Sequence, residues 1–84
     1  MADSKVARTL DLTSSEEECG DTALALLRRT MKELAPGEVL EVQSTVAEHA
    51  FVVRAWARKT GRPILGDRTE GKMTTILVEQ TPDG

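Results

Sequence analysis

The chain has 84 residues, of which 39% are hydrophobic and 30% charged, and its formal net charge is −3. A chain of this length has a limited core, so we predict a single domain over residues 1–84 with flexible tails at about 1–5 and 81–84. The negative net charge argues against direct nucleic-acid binding, which requires Lys and Arg to neutralise phosphates. No apolar run is long enough to cross a bilayer and no secretory signal is present, so we expect a cytoplasmic protein without membrane contact.

A strand and an acidic loop are predicted at the start of the domain. Val6, Leu10 and Leu12 fall on one side of an extended segment over residues 6–12, which indicates a strand. The stretch from Thr13 to Glu18 is polar and acidic and has no periodicity, so it predicts a loop.

The first helix is predicted from Asp21 to Leu34 or Ala35, because apolar residues recur there at helical spacing. Asp21 is the expected N-cap, since its side-chain oxygen can accept a hydrogen bond from a free N–H of the first turn. Pro36 and Gly37 then end the helix and supply a turn.

A second strand and a second helix follow directly. Glu38 to Gln43 is rich in strand-forming residues and alternates apolar with polar side chains. Ser44 or Thr45 is the expected N-cap of the helix, and Gly61 its end. The inward stripe of this helix comprises Val46, Ala50, Val53 and Ala57, with Trp56 at the edge of the core.

The remaining residues predict two strands. The segment from Pro63 to Leu65 opens the third strand, Asp67 to Gly71 supplies turn residues, and Met73 to Glu79 forms the fourth strand. This order predicts an α+β fold, a two-layer α/β sandwich with both helices on one face of a mixed four-stranded sheet. The other sheet face is expected to stay in water and to carry Glu41, Gln43 and Thr75.

Cys19 is the first candidate for chemistry, because the chain has one cysteine and it directly precedes the first helix. Free N–H groups and the positive end of the macrodipole at a helix N-terminus favour a thiolate. Glu16, Glu17 and Glu18 act in the opposite direction, since nearby carboxylates disfavour a further negative charge. An inert, partly buried cysteine is the alternative interpretation.

Few other residues indicate a function. One cysteine and one histidine, His49, do not predict a metal site, and His49 is expected at the surface or at the core boundary. Arg28, Arg29, Arg54 and Arg58 are candidate docking residues, although a solvated basic helix face is the more common explanation of such a cluster. No catalytic triad, phosphate-binding loop or pair of catalytic carboxylates can be assembled.

The order of several short motifs resembles the TusA/SirA-like family of small sulfur carriers. In that family a strand ending in Leu-Asp leads to a Cys-Pro-x-Pro motif at the start of the first helix. The matching residues here are Leu10-Asp11, Cys19, Pro36-Gly37-Glu38, and Trp56 five residues before Gly61. The resemblance covers the chain from about residue 10 to residue 79.

The chain departs from the family pattern at the motif itself. Cys19 is followed by Gly20, Asp21 and Thr22, so both prolines of the motif are missing. Arg62 stands where the family usually has His. The loop before Cys19 is also longer than in the family.

The resemblance implies that Cys19 accepts sulfane sulfur as a persulfide from a protein donor, such as a cysteine desulfurase, and passes it to an acceptor in a sulfur relay or in tRNA modification. Gly20 and Asp21 would support the cysteine at the helix N-terminus, and Gly20 would let the backbone approach a partner closely. Such a sulfurtransferase needs no cofactor and no metal. The alternative is a non-catalytic protein-interaction or regulatory module that has kept the fold.

Overall fold

A computed structural model describes the backbone over residues 6–12 and 20–81 and the side chains over residues 6–12 and 23–81. Its elements in chain order are β1 (Val6–Asp11), α1 (Gly20–Lys32), β2 (Val39–Ser44), α2 (Ala47–Thr60), β3 (Ile64–Glu70) and β4 (Met73–Glu79). This order confirms the predicted α+β fold. The predicted tails, apart from Thr81, and the predicted loop over residues 13–18 lie outside the described residues.

The strands form one mixed sheet in the spatial order β1-β2-β4-β3. β1 and β2 pair in parallel, whereas β4 is antiparallel both to β2 and to β3. β3 therefore runs parallel to β2, and α1 and α2 are the two crossover connections that parallel strands require. Because each helix follows a strand of the same direction, the two helices run in roughly the same direction.

The core lies between the two helices and one face of the sheet. Leu40 and Val42 of β2 and Ile76 and Val78 of β4 are at most 2% exposed, and they alternate along their strands as residues of one sheet face do. The helices contribute Ala23, Leu27 and Met31 from α1 and Ala50, Val53 and Ala57 from α2. The predicted inward positions of Ala50, Val53 and Ala57 in α2 are confirmed, as is the position of Trp56 at the edge of this cluster, whereas Val46 is only half-buried and precedes the helix.

The second sheet face carries polar side chains beside the half-buried Leu77, which pairs with Glu41, and no described helix packs on it. Glu41, Gln43 and Thr75 are half-buried there. The Glu41 carboxylate accepts hydrogen bonds from the Thr9 hydroxyl at 3.2 Å and from the Gln43 amide at 3.3 Å. The predicted polar residues of this face are therefore present, and Thr9, Glu41 and Gln43 bond to one another.

Two glycines have the backbone conformation that their turns require. Gly37 has a φ of 91° and follows Pro36, which is the residue order of a type II turn. Gly61 has a φ of 77°, and its N–H points to the carbonyls of Ala57 and Arg58 in the last turn of α2. The predicted turn at Gly37 and the predicted end of α2 at Gly61 are confirmed. A residue with a Cβ would be strained at either of these positive φ angles.

The predicted bounds of α1 are wrong at both ends. The helix begins at Gly20, so Asp21 is its second residue rather than its N-cap. It ends at Lys32, two or three residues before the predicted end. The N–H groups of Glu33 and Leu34 donate to carbonyls three residues earlier, at 3.0 and 3.1 Å, so the last turn tightens before Pro36 is reached.

The predicted N-cap of α2 is also wrong. Val46 occupies this position with an extended backbone, φ −103° and ψ 122°, and it makes no side-chain capping bond. The Ser44 hydroxyl does not cap the first turn because it accepts the Val46 N–H at 3.0 Å and lies 2.8 Å from Nδ1 of His49. Ser44 instead fixes the short connection between β2 and α2.

β3 is longer than predicted. Asp67 to Glu70, expected as a turn, continue the strand, and the hairpin turn is confined to Gly71 and Lys72. The reason is tertiary, since the strand pairs with β4 from Ile64 to Glu70. The preference of these residues for a turn is weaker than the stabilisation that they gain from hydrogen bonds to β4.

We expect Leu40→Ala to lower the free energy of unfolding by about 2 to 5 kcal/mol, because it opens a cavity at a fully buried position of β2. Leu65→Ala is the matched control, since Leu65 is 49% exposed on β3 and its truncation should cost less than about 1 kcal/mol. Urea denaturation followed by circular dichroism measures both values. Equal losses in the two variants would contradict the position of the core.

Candidate functional site

One edge of the sandwich brings together the carboxyl ends of β1 and β2 and the starts of both helices. The N–H of Leu12 donates to the Gln43 carbonyl at 2.8 Å, so the chain is still held against β2 where it leaves β1. Residue 20 is the next described residue, and it begins α1. This edge therefore flanks the segment that contains the single cysteine.

Cys19 itself lies outside the described residues, as does the side chain of Asp21. Cys19 is covalently bonded to Gly20, the first residue of α1. The first N–H groups of a helix have no acceptor within the helix, and Gly20 and Asp21 contribute two of them. The roles of Cys19, Gly20 and Asp21 stay predictions.

The same edge contains a buried polar pair that the sequence pattern did not predict. His49, expected at the surface or boundary, is 1% exposed, and that expectation is wrong. Its Nδ1 lies 2.8 Å from the hydroxyl of Ser44, which is itself buried, so neither group is left without a partner. His49 lies four residues before the buried Val53, and this helical spacing was the signal that could have placed it in the interior.

The four candidate docking arginines lie in different surroundings. Arg28 lines a groove between α1 and α2, whereas Arg29 and Arg58 are exposed outside the lining of that groove. Arg54 donates from Nε and Nη2 to the Asp67 carboxylate of β3, at 2.7 and 2.9 Å. Their role in docking stays a prediction.

The Arg54–Asp67 pair joins α2 to the edge strand β3. The hydrogen bonds from Arg54 hold the pKa of Asp67 below its ordinary value, and attraction between the charges adds to this effect while desolvation opposes it. The same bonds raise the pKa of Arg54. Both groups are therefore charged at neutral pH, and the guanidinium of Arg54 is already engaged by a carboxylate.

Gln80 is a further polar residue to which the sequence pattern gave no role. Its side chain is buried, and its amide donates to the carbonyl of Met31 in the last turn of α1 at 2.7 Å. Its oxygen accepts from Nε of Arg62 at 3.0 Å, and the Arg62 guanidinium lies 4.7 Å from the centre of the Trp56 ring. Gln80 continues the inward alternation of β4, which was the signal that could have identified it as buried.

The part of the chain that the structure describes contains no group of three His, Cys, Asp or Glu residues arranged to hold a metal ion. Neither α1 nor α2, the two described helices, has the length and apolarity needed to cross a membrane.

No protein-family model matches the chain. Over 46 residues the chain is 39% identical to a Bacillus subtilis protein named "Putative sulfur carrier protein YrkF". The matched segment is 55% of this chain and 25% of YrkF, so the chain covers about a quarter of the length of that relative. This similarity supports a sulfur-carrier family.

We expect Asp67→Asn to lower the free energy of unfolding at pH 7 by at most about 1 kcal/mol, since the side chains of Arg54 and Asp67 are 40% and 34% exposed. Because the folded pKa of Asp67 is lowered, its contribution is present above the ordinary carboxyl pKa and is lost as the pH falls through the lowered value. Urea denaturation at a series of pH values measures the free energy of unfolding of the variant and of the wild type. The two values should converge as the pH falls.

Glu70→Gln is the control for this prediction. The Glu70 carboxylate lies 3.9 Å from Nε of Arg68, and both side chains are more than 70% exposed, so no loss is expected at any pH. A pH-independent loss in Asp67→Asn would show that the charge of Asp67 is not what stabilises the pair.

Proposed function

We propose that this chain is a TusA/SirA-like sulfur carrier in which Cys19 holds sulfane sulfur as a persulfide. The observation that carries the proposal is the 39% identity over 46 residues with a protein named as a sulfur carrier. Two features support it. The α+β order of the elements agrees with the resemblance, and the single cysteine directly precedes α1.

The transfer is a thiol exchange that balances without an external oxidant or reductant. The Cys19 thiolate attacks the terminal sulfur of a persulfide on the donor protein. A new S–S bond forms on Cys19, the S–S bond of the donor breaks, and the electron pair leaves on the donor thiolate. Repeating the exchange with an acceptor thiolate returns Cys19 to its starting form.

The residues around Cys19 would control how readily it forms the thiolate. The amides of Gly20 and Asp21, at the start of α1, favour a negative charge on the sulfur. Gly20 has no side chain to obstruct the close approach of a partner backbone. The three glutamates before the cysteine oppose the thiolate. The proposed carrier is therefore only moderately nucleophilic until a partner covers or neutralises these carboxylates.

The partners of such a carrier are proteins. A cysteine desulfurase is the proposed class of donor, and the acceptor is a downstream protein of a sulfur relay or of tRNA modification. The chain needs no resident cofactor or metal for this exchange, and a cytoplasmic location agrees with the proposed reactions. Direct contact with nucleic acid is not part of the proposal.

We expect the protein to gain about 32 Da per sulfur atom after incubation with a cysteine desulfurase and cysteine, because the persulfide adds one sulfur to Cys19. Intact-protein mass spectrometry under non-reducing conditions measures the gain, and dithiothreitol should remove it. Cys19→Ser should gain nothing, and the wild type incubated with cysteine alone is the second control. The absence of an adduct on the wild type, or an adduct on Cys19→Ser, overturns the proposal.

We expect replacement of Glu16, Glu17 and Glu18 by Gln to increase the rate of Cys19 alkylation at pH 7 about twofold or more, because the replacement removes charges that oppose the thiolate. The rate of iodoacetamide reaction against pH gives the apparent pKa of the thiol. Glu70→Gln, on β3, controls for the loss of a single carboxylate elsewhere on the chain, and each of the three Glu→Gln changes made singly is compared with it. If the triple variant is no more reactive than an unstructured peptide of the same sequence, the start of α1 does not activate Cys19.

A further inference from the structure

A groove of about 600 Å³ runs between α1 and α2. Its apolar lining consists of Leu24, Met31, Phe51, Val52, Ala55 and Trp56. The chain has one Phe and one Trp, and both line this groove. Apolar side chains are thus concentrated in a concave surface between the two helices, where the core residue Met31 lies beside the half-buried Leu24 and Trp56.

The exposure of Phe51 shows that this surface is not part of the closed hydrophobic core. Phe51 is 69% exposed, the highest value among the large hydrophobic residues that the structure describes as exposed. A single exposed apolar residue needs no explanation, but Phe51 lies in one groove with Leu24 and Trp56, which are only half-buried. A contiguous exposed apolar surface with a polar rim is typical of a protein interaction site.

The rim of the groove is positively charged. Four cations line it, Arg28, Lys32, Lys59 and Arg62, and no Asp or Glu does. None of the four forms an ion pair with a carboxylate in the described part of the chain. This is a local excess of positive charge on a chain whose net charge is −3, so the groove is electrostatically complementary to an acidic ligand.

One end of the groove is held in place by the polar cluster already described. Arg62 lies over the Trp56 ring and donates to Gln80, which in turn bonds to the last turn of α1. Two groove side chains are thereby fixed before any partner binds. Such preorganisation reduces the entropy cost of binding.

The dimensions of the groove match a short helix. Its lining extends from Leu24 to Lys32 along α1 and from Phe51 to Thr60 along α2, which is about 12 to 14 Å at the rise of an α-helix. We propose that this groove docks an acidic amphipathic α-helix of a protein partner. The apolar stripe of that helix packs on Phe51 and Trp56, and its flanking carboxylates pair with the cations of the rim.

The chain itself does not supply such a helix in the part that the structure describes. α1 carries three basic residues against Asp21, and α2 carries three against Glu48. Docking either helix into the groove of a second copy would bring like charges together. A partner of opposite charge satisfies the groove better than a second copy does.

Binding of a synthetic peptide tests this inference without involving the thiol. The probe is an acetylated helical peptide of about 16 residues, with Leu at helical spacing on one face and Glu on the flanks. Because the chain has one Trp and no Tyr, the fluorescence of Trp56 reports directly on the groove. The titration uses the Cys19→Ser chain, so its outcome is independent of whether Cys19 carries sulfur. We expect a saturable change and a shift of emission to shorter wavelength.

Two double variants with the same change in charge locate the binding surface. Arg28→Glu with Lys59→Glu changes the groove, and Arg29→Glu with Arg58→Glu changes the adjacent exposed positions outside it. We expect the dissociation constant to rise at least tenfold in the first variant and less than about threefold in the second. Phe51→Ser should also weaken binding, whereas Leu65→Ser, at an exposed position of β3, should not.

Several results overturn the proposal. These are the absence of a Trp56 response at peptide concentrations up to about 1 mM, equal losses in the two double variants, and equal binding of a peptide with Lys in place of Glu. If an RNA oligonucleotide or anionic lipid vesicles bound the groove more tightly than the acidic peptide does, the four cations would be phosphate-binding residues instead. A groove-dependent dimer in sedimentation equilibrium would assign the surface to a second copy.

Discussion

Burial of a single sheet face is the constraint on which the rest of the structure depends. A chain of this length has a small core, and its two crossover connections place both helices over the same side of β2 and β4. The opposite face is then left to polar residues such as Glu41 and Gln43. The two helices meet each other as well as the sheet, and their contact leaves the groove that Phe51 and Trp56 line.

The candidate cysteine and the groove are close to each other along the same helix. α1 begins at Gly20, which is bonded to Cys19, and the groove begins at Leu24, about 6 Å further along the helix axis. A partner helix that filled the groove would therefore have one end near the start of α1. The proposed docking and the proposed sulfur transfer would then involve neighbouring positions of the chain, and the docking surface would add affinity for the partner.

The periodicity of apolar residues predicted the helices and strands that bury one continuous apolar face. It failed where contacts with residues distant in the sequence decide the length of an element or the burial of a side chain. The core positions of Ala50, Val53 and Ala57 in α2 and the bounds of β4 followed from spacing alone. The length of β3 depended on pairing with β4, and the burial of His49 and Gln80 depended on Ser44 and on the end of α1. Motif order suggested Cys19, but the cluster of basic residues did not separate the groove arginine, Arg28, from its exposed neighbour Arg29, although Arg28 lies one helical turn after Leu24.

The insertion of β4 between β2 and β3 affects how the domain assembles. These two neighbours precede β4 in the chain and do not pair with each other, so the sheet stays in two parts until residues 73–79 are in place. Gln80 follows at once and completes the bonds to the end of α1. A chain that stops short of β4 would expose strand edges on both β2 and β3, which are templates for pairing with other chains. The β3–β4 hairpin has the most local strand pairing of the sheet, so we expect it to form before β4 pairs with β2.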